Sequence, residues 1–543
     1  MFHMFKRFIG KYMSHSSLSG NGGLSNTRFI MLFLLSFFVA DHQIVESVSK
    51  FPMVLVISMD AFKPDYVDDC LTPTIVKLRS SGAFAPFMKN VFPTKTFPNH
   101  HSIATGVYPA VHGVLDSTVY TSKDDCANRS LIGYSYELYH YNNDILPIWT
   151  LNQLAGKGRH SGVMMWPGGE FAYGCKKTKP TFSQKWDEKV SYQERVDTVL
   201  SWFMNENTPA NLVMLYLEEP DLHGHAFGID SPEVREQIQK LDKNLDYIYQ
   251  QFKKHSLDHL VTVFVVSDHG MINLDQRNII DLNKYVDNSS YITAGSSPVL
   301  QIFPNDGLEN SVISGLREAR QKYGPVFDVY TKSEIPSTWH YSENNRTSPI
   351  LVVAKEGYAF QDMYKNIEYL NKKFDIESNP RNKYGIHGYP NTLSSMHPLF
   401  FAWGPLIKPH IRLDPFNTTE LYSLWAHILN LEIEHEVEST LNLTMLLSSS
   451  SPSISSTTEQ QTQRNVTQSP GSITRQHSSP LWMYWFFGMI AVVLFMIIAG
   501  TILHFCRDLN DRSHAEPIIP QHHRNLLENQ HLLVSDSDDE FKL

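Results

Sequence analysis

Residues 212–228, LVMLYLEEPDLHGHAFG, join an uninterrupted apolar run to acidic and histidine residues that follow it directly. Mostly apolar runs also end in polar residues at residues 54–60 (VLVISMD) and at residues 261–269 (VTVFVVSDH). Short, fully apolar runs rich in β-branched residues are typical of strands in a parallel sheet that is buried on both faces. Open α/β sheets bind ligands at the carboxyl ends of their strands. We therefore predict three parallel strands whose polar ends meet in one site.

A helix is predicted between the last two strands, over residues 231–254. Ser231 is a suitable N-cap, Pro232 suits the first turn, and apolar residues recur at helical spacing up to Phe252. Strand, helix and strand make a βαβ unit. The sequence therefore predicts an α/β fold with a mostly parallel central sheet flanked by helices. Between Met271 and Ile386 this alternation stops, which predicts a smaller insert or cap.

Side chains that bind metals occur in four separate segments, three of which follow the predicted strands. Mixed imidazole and carboxylate ligands suit Zn²⁺ or another transition metal better than Ca²⁺ or Mg²⁺. Two such ions about 3.5–4 Å apart stabilise the attacking and leaving oxygens of a displacement at phosphorus. The candidate ligands are Asp60, Asp221, His225, Asp268, His269 and His387.

The nucleophile of such a reaction is expected in PTKTFPNHHS, residues 93–102, which offers the hydroxyls of Thr94, Thr96 and Ser102. Thr96 is the preferred candidate, because the nearby Asn99 has an amide N–H to donate to a phosphoryl oxygen. Taken singly, an Asp after a strand is usually a capping residue and a His is usually structural. We assign that structural role to His100, His101, His112, His223 and His397.

The two ends of the chain indicate a single-pass (type I) protein of the cell membrane, with its catalytic domain outside the cell. The twelve residues at 29–40, all apolar except Ser36, follow basic residues and match the core of a signal peptide, predicted over residues 1–40. Residues 481–505 contain no Asp, Glu, Lys or Arg, so a transmembrane helix is predicted at 480–505.

The predicted signal peptide and transmembrane helix are separated by a catalytic domain and a stalk, and a tail follows the helix. Residues 41–447 form the extracellular catalytic domain, and the Ser/Thr-rich residues 448–479 read as a glycosylated stalk. The cytoplasmic tail, 506–543, carries Leu532 and Leu533 after an acidic residue, a pattern that sorting adaptors bind. Sequons for N-glycosylation lie only on the predicted exterior side, at Asn128, Asn288, Asn345, Asn417, Asn442 and Asn465.

Charge and cysteine content bear on the binding partners and on the disulfides of the protein. The 543 residues include 46 Lys and Arg against 56 Asp and Glu, a formal net charge of −10, which argues against general binding to nucleic acid. Three cysteines, Cys70, Cys126 and Cys175, lie on the oxidising side. One disulfide and one free thiol are expected from them, in any of three pairings, of which we favour Cys126–Cys175.

Several motifs together resemble the ectonucleotide pyrophosphatase/phosphodiesterases of the alkaline-phosphatase superfamily. They are ISMDAF, NVFPTKTFPNHHSIATGVYPAVHG, PIW, MWPGGE, YLEEPDLHGHAFG, SDHGM and HGYPNTLSSMHPLF, in this order, and the resemblance covers about residues 52–433. The short exterior domain and the C-terminal span are similar to the branch that contains the fourth and fifth vertebrate members. The resemblance implies two Zn²⁺ per catalytic domain. Asp60, Thr96, Asp268 and His269 would hold one ion, and Asp221, His225 and His387 the other.

The resemblance also implies roles for residues around Thr96, which would form a covalent nucleotidyl-threonine that water hydrolyses. Asn99 would bind a phosphoryl oxygen, and Lys95 would lie near the phosphate or base. Phe97 would stack on the nucleobase, opposite Trp186, with Tyr216 lining the same pocket. Two departures from the family pattern, Glu170 after WPGG and Ile229 after GHAFG, bear on base preference.

The expected activity is hydrolysis of extracellular nucleotides such as ATP, ADP, NAD and dinucleoside polyphosphates to nucleoside 5′-monophosphates. A phosphodiesterase of phospholipid headgroups is the nearest enzymatic alternative, because related proteins use the same two-metal core. The aromatic Phe97 beside the nucleophile favours nucleotides, since it offers a stacking face. An alternative of another class is a weakly active, stalked surface glycoprotein with a role in adhesion. The oligomeric state is not predicted.

Overall fold

The computed structural model describes residues 48–122, 129–435, 437 and 439–448. The predicted signal segment (1–40), transmembrane segment (480–505) and tail (506–543), and the predicted stalk beyond residue 448, lie outside these residues. Within the described part of the chain, no helix combines the length and apolar character needed to cross a membrane.

Twenty strands occur in the described residues, and most are short. In chain order they are β1 (Met53–Met59), β2 (Ala83–Ala85), β3 (Met88–Lys89), β4 (Val119–Ser122), β5 (Arg129–Ile132), β6 (Ser161–Met164), β7 (Phe182–Gln184), β8 (Leu212–Leu217), β9 (Val261–Val266), β10 (Ile272–Asp275), β11 (Ile279–Ile280), β12 (Tyr291–Ala294), β13 (Val299–Pro304), β14 (Phe327–Thr331), β15 (Ile350–Ala354), β16 (Ala359–Phe360), β17 (Lys383–Ile386), β18 (Phe400–Trp403), β19 (Ile411–Arg412) and β20 (Phe416–Asn417).

Twelve α-helices accompany these strands in the described residues. They are α1 (Pro73–Ser81), α2 (Thr96–Thr105), α3 (Pro109–His112), α4 (Tyr136–Tyr139), α5 (Ile148–Leu154), α6 (Tyr192–Phe203), α7 (Asp221–Phe227), α8 (Pro232–Lys254), α9 (Glu309–Tyr323), α10 (Met363–Lys373), α11 (Glu420–Leu429) and α12 (Leu443–Leu446). Short 3₁₀ turns occur at Pro64–Tyr66, Gln276–Asn278, Leu282–Lys284, Asn288–Ser290, Lys332–Glu334, Ser337–Trp339 and Ser394–Met396.

An eight-stranded sheet forms the centre of the fold, in the order β19-β2-β18-β9-β1-β8-β6-β7. β1 lies between β8 and β9 and runs parallel to both, with Ile57 level with Leu215 on one side and Val265 on the other. β6 and β7 continue the parallel part, whereas β18 is antiparallel to β9 and β2. Every residue of β1, β8 and β9 is buried. The predicted mostly parallel α/β sheet is therefore confirmed.

The helix predicted between β8 and β9 is α8, which begins and ends close to the predicted limits. The Ser231 side chain accepts a hydrogen bond from the backbone N–H of Val234, 3.2 Å away, and Pro232 fills the first turn. The apolar face, from Val234 to Phe252, is buried. Burial of each such side chain stabilises the fold by about 1.5–3 kcal/mol, so packing of this face explains why the helix covers the sheet.

The predicted break between Met271 and Ile386 is a smaller insert with a sheet of its own. Four strands, all paired antiparallel, take the order β12-β13-β15-β14 and carry α9. A second apolar cluster, distinct from that of the central sheet, fills this part. The chain enters through β10 and leaves through β17, which pair antiparallel with Ile272 opposite Ile386. Because β17 ends at Ile386, the insert returns the chain to the central sheet at His387.

The state of the cysteines in the structure does not agree with the disulfide pairing that we favoured. Cys70 and Cys175 are both exposed and free. Cys126 lies outside the described residues. The expected Cys126–Cys175 bond is therefore not formed, because Cys175 is a free thiol.

Candidate metal centre

Six buried side chains meet at the carboxyl edge of the central sheet. Asp60 follows β1, Asp268 and His269 follow β9, and Asp221 opens α7 just after β8. His225 lies one turn further along α7, and His387 follows β17. All six are between 0 and 7 % exposed. The structure thus brings together every candidate ligand that the sequence indicated.

The ligand atoms of these residues are only a few ångströms apart. His269 Nε2 lies 3.4 Å from Asp60 Oδ1 and 3.0 Å from Asp268 Oδ2. Asp221 contacts His225 Nε2 at 3.3 Å and His387 Nε2 at 3.6 Å, and those two nitrogens are 3.1 Å apart. The rings of His269 and His387 stack with centroids 3.7 Å apart. This contact joins the half of the cluster that contains His269 to the half that contains His387. The site is therefore one continuous cluster.

Backbone carbonyls fix the orientation of all three imidazoles. The Nδ1 atoms of His225, His269 and His387 lie 3.0, 3.0 and 2.9 Å from the carbonyl oxygens of Gly385, Gly270 and Thr94. A carbonyl only accepts hydrogen bonds, so each Nδ1 must carry the proton. Each Nε2 lone pair is then left for a metal, the arrangement seen in metal-binding histidines.

The donor set fits bound cations. Neither carboxylate oxygen of the buried Asp221 accepts a hydrogen bond from the described residues. Burial and the neighbouring His269, His225 and Lys95 hold the pKa of His387 well below its usual value, so its imidazole is neutral. Uncompensated buried carboxylates are costly, and a divalent ion compensates them.

Two overlapping groups of ligand atoms are compact enough to hold one ion each. They are Asp60, Asp268 and His269 in one group, and Asp221, His269 and His387 in the other, with ligand atoms within 4.8 Å of one another. His269 belongs to both, whereas the expected division placed it with Asp60 and Asp268 alone. Each group could hold a metal ion, and the shared His269 joins the two groups.

Thr96 lies at the edge of this cluster, as the first residue of α2. Its Oγ1 is 3.2 Å from His269 Nε2, and the side chain is fully buried. The N-terminus of a helix favours negative charge, because its first N–H groups lack partners within the helix. A hydroxyl placed here faces both the candidate metals and a region suited to an anion.

Asn99 has a different task in the structure from the phosphoryl contact that we expected. Its Nδ2 donates to the carbonyl oxygens of Pro93 and Lys95, at 3.0 and 2.9 Å. Its Oδ1 accepts from the backbone N–H of Val91 at 2.9 Å. Both amide hydrogens are directed at the backbone, so Asn99 holds the loop that delivers Thr96.

His100 belongs to the surroundings of the site, although we had classed it as structural. Its Nδ1 lies 2.9 Å from the carbonyl oxygen of Thr96 and 3.3 Å from Asp268 Oδ2, and its Nε2 lies 2.9 Å from Ser58 Oγ. The signal in the sequence was its position four residues after Thr96, one turn along the same helix. His100 thus connects the candidate nucleophile to a candidate ligand.

Tyr216 supports a ligand instead of lining a pocket. Its hydroxyl donates to Asp60 Oδ2 at 2.7 Å, and the residue is only 2 % exposed. Pairing in the sheet sets this contact, because Tyr216 is level with Ser58, two residues before Asp60. Tyr216 therefore orients the Asp60 carboxylate, and its predicted place beside the substrate stays a prediction.

We expect the Tyr216→Phe variant to bind its metal about 10- to 100-fold more weakly, because groups that orient a ligand contribute on that scale. Zinc titration of the metal-stripped chain measures the change. Tyr247→Phe is the matched control, since the Tyr247 hydroxyl contacts Asp197 on the exposed face of the molecule, 2.7 Å away. Equal zinc affinity in both variants would contradict a supporting role for Tyr216.

The residues expected to surround a base lie in buried or half-buried positions. Phe97 is 1 % exposed, and its ring contacts Tyr134, with centroids 5.3 Å apart. Glu170, one of the departures from the family pattern, accepts a hydrogen bond from the Tyr134 hydroxyl at 2.7 Å. Trp186 is half-buried in the loop after β7, and among the described residues it is not a ring partner of Phe97. Two rings that enclose a base do not contact each other directly, so the stacking of a base between Phe97 and Trp186 stays a prediction.

Lys95 is also buried, with 3 % of its surface exposed. Its ammonium donates to Ser296 Oγ and to the carbonyl oxygen of Ser297, and lies 4.0 Å from Asp116 Oδ1. These partners belong to the insert and to the loop before β4. The contacts of Lys95 in the structure are all within the protein, and its predicted place near the phosphate or base stays a prediction.

Comparisons with known proteins agree with this geometry. Residues 54–390 match the family described as type I phosphodiesterase / nucleotide pyrophosphatase. Human ectonucleotide pyrophosphatase/phosphodiesterase family member 5 is 33% identical over 86% of this chain and 93% of its own length. Human bis(5'-adenosyl)-triphosphatase ENPP4 is 30% identical over 75% of this chain and 84% of its own length.

Solved structures of relatives with the same family name superpose on this chain. An inactive variant of murine ectonucleotide pyrophosphatase/phosphodiesterase 5, in complex with AMP, superposes with a TM-score of 0.64 at 32% identity. The match covers 73% of this chain and all of that one. The human protein of the same name superposes with a TM-score of 0.63, over 73% of this chain and 99% of the other.

Proposed function

Because the chain belongs to the type I phosphodiesterase / nucleotide pyrophosphatase family, we propose that it hydrolyses phosphodiester or pyrophosphate bonds of nucleotides and releases nucleoside 5′-monophosphates. The observation that carries the proposal is the Thr96 hydroxyl, buried 3.2 Å from His269 beside five further candidate ligands. Candidate substrates are ATP, ADP, NAD and dinucleoside polyphosphates. The name of the human triphosphatase and the AMP bound to the murine relative support this choice.

Thr96 is the proposed nucleophile. The hydroxyl releases its proton to solvent, its oxygen forms a bond to the phosphorus, and the bond to the leaving oxygen breaks with its electron pair on the departing group, which gives a nucleotidyl-threonine. Water then attacks the same phosphorus and the bond to the Thr96 oxygen breaks. A proton from the attacking water restores the Thr96 hydroxyl, and the nucleoside monophosphate is released.

Two Zn²⁺ held by the six ligands would lower the pKa of the nucleophile and neutralise the phosphoryl oxygens. The chain itself fixes the geometry of that site. Asp60 is oriented by Tyr216, and Asp268 accepts from the backbone N–H of Ala61 at 3.2 Å. Asn99 holds the loop before α2, so Thr96 points at the ligands before a substrate arrives. Such pre-organisation contributes to catalysis because less reorientation remains for the reaction itself.

The proposed location is the cell surface. A signal peptide at 1–40 and a transmembrane helix at 480–505 would place the catalytic domain, 41–447, outside the cell on a stalk at 448–479. The support is the apolar pattern of these segments and the description of the human relative as an ectoenzyme of the family. Extracellular nucleotides are then the accessible substrates.

Hydrolysis of three nitrophenyl esters by the purified full-length chain tests the activity. We expect cleavage of nitrophenyl thymidine 5′-monophosphate, loss of that activity with a chelator and recovery with zinc. Nitrophenyl phosphate and nitrophenyl phosphorylcholine should react slowly. Preference for the phosphorylcholine ester would replace the nucleotide proposal by a lipid-headgroup phosphodiesterase. No cleavage of any ester by the zinc-loaded chain would favour an adhesion protein.

A further inference from the structure

The residue before the candidate nucleophile connects the two parts of the catalytic domain. The Lys95 ammonium is buried between the central part of the fold, at Asp116, and the loop that joins β12 to β13 in the insert. Asp116 is itself only 1 % exposed. Burial of an ammonium is costly unless it is paired and hydrogen-bonded, so these contacts determine where the side chain points.

The loop that receives Lys95 is fixed within the insert. Asp362, the residue before α10, accepts from the backbone N–H and the hydroxyl of Ser297 at 2.8 and 2.5 Å. The Ser297 hydroxyl in turn accepts from the backbone N–H of Phe360 at 2.8 Å. Ser296 and Ser297 therefore present Lys95 with acceptors in a set position.

The opposite side of the same short segment is held by the chain around His387. Thr94 donates its hydroxyl hydrogen to the carbonyl oxygen of Tyr389 at 2.8 Å and accepts from the N–H of Gly388 at 3.1 Å. A Cβ at Gly388 would lie 2.7 Å from Lys95 Cε, so glycine is needed for the backbone to pack on the lysine stem. Residues 94 and 95 are thus fixed from two directions directly before Thr96.

We propose that Lys95 is a positioning residue, which uses the insert to hold the Thr96 hydroxyl at the metal ligands. The ammonium has its acceptors within the protein, so its effect on the reaction passes through the backbone of Thr96 and not through a contact with the substrate. The insert then contributes to catalysis although its sheet supplies no candidate ligand. This inference rests on the proposed function of Thr96.

The test compares Lys95→Met, Asp116→Asn and the double variant in the full-length, zinc-loaded chain. A displacement of about 1 Å of a reacting group costs about 10²-fold in rate, so we expect Lys95→Met to lower kcat by that factor. KM should change by less than about twofold. The factor should be equal for the singly charged nitrophenyl thymidine ester and for a dinucleoside triphosphate, since no phosphate contact is lost.

The activity of the double variant distinguishes positioning of Thr96 by Lys95 from a direct contact between Lys95 and the substrate. If Lys95 and Asp116 act as one unit, the double variant should lose no more activity than Lys95→Met alone. Lys355→Met is the matched control and should retain wild-type kcat, because Lys355 is an exposed lysine of the insert that pairs with Asp328. A higher KM with unchanged kcat, or a larger loss with the triphosphate, would overturn the proposal.

Two further measurements keep the test decisive. Should Lys95→Met fail to fold, Asp362→Asn loosens the receiving loop and should lower kcat at unchanged KM, and an unchanged kcat would overturn the proposal. AMP affinity, compared between Thr96→Ala and the same variant with Lys95→Met, needs no turnover. Equal affinity is expected, and weaker affinity with Lys95→Met would identify a substrate contact. A wild-type chain without turnover would refute the proposed function separately, and the AMP comparison would still decide the role of Lys95.

Discussion

The Thr96→Ala variant is expected to hydrolyse nucleotide esters about 10⁴- to 10⁶-fold more slowly than the wild type, the range found when a catalytic nucleophile is removed. Thr96 Oγ1 lies 3.2 Å from His269 Nε2 at the first residue of α2. Alanine removes that oxygen and leaves the helix and all six candidate ligands in place. The reaction would lose its first bond-forming step, while the metals remain bound.

The controls separate loss of the hydroxyl from loss of the site. Zinc content and thermal unfolding of Thr96→Ala should remain close to those of the wild type. Thr96→Ser keeps a hydroxyl at the same carbon and should recover a large part of the activity. Turnover of Thr96→Ala within about tenfold of wild type would exclude Thr96 as the nucleophile.

The His387→Ala variant should lower kcat/KM by about 10³-fold and leave one tightly bound zinc ion in place of two. His387 Nε2 faces Asp221 at 3.6 Å and His225 at 3.1 Å, so its removal opens that half of the cluster. Loss of one metal removes several kcal/mol of charge stabilisation in the transition state, and each 1.36 kcal/mol corresponds to a factor of ten. Metal analysis after gel filtration, together with rates at saturating zinc, measures both effects.

His427→Ala is the matched control for this change. His427 lies on the exposed face of α11, so its removal should alter neither metal content nor rate. Partial recovery of the His387→Ala rate at high zinc concentration is expected, because five of the six ligands remain. Two bound zinc ions and an unchanged rate in His387→Ala would contradict the ligand assignment.

The ligands were predictable because they follow the strands. Asp60, Asp221 and Asp268 each come within a few residues of the end of a mostly apolar run, and parallel strands bring such ends to one edge of the sheet. His387 lies far along the chain, beyond the insert, and no predicted strand end accounts for its place. The antiparallel pair β10 and β17 supplies the physical reason, since it returns the chain to the site.

The surroundings of the ligands were not predictable, because they depend on contacts between distant segments. The Lys95 ammonium donates to Ser296, which is 201 residues away in the sequence. Contacts inside the insert fix the loop that contains Ser296. Tyr216 lies in a strand buried on both faces, so alternation in the sequence does not show which face it occupies. The pairing of β1 with β8 decides that its hydroxyl reaches Asp60.

The stereochemical course at phosphorus tests the central claim, a double displacement through Thr96, most directly. A nitrophenyl thymidine 5′-phosphorothioate of one configuration would be hydrolysed in ¹⁸O-labelled water by the zinc-loaded, full-length chain. Two in-line displacements, first by Thr96 and then by water, predict net retention of configuration in the product. Net inversion would show a single displacement by water and would contradict the role of Thr96 as nucleophile.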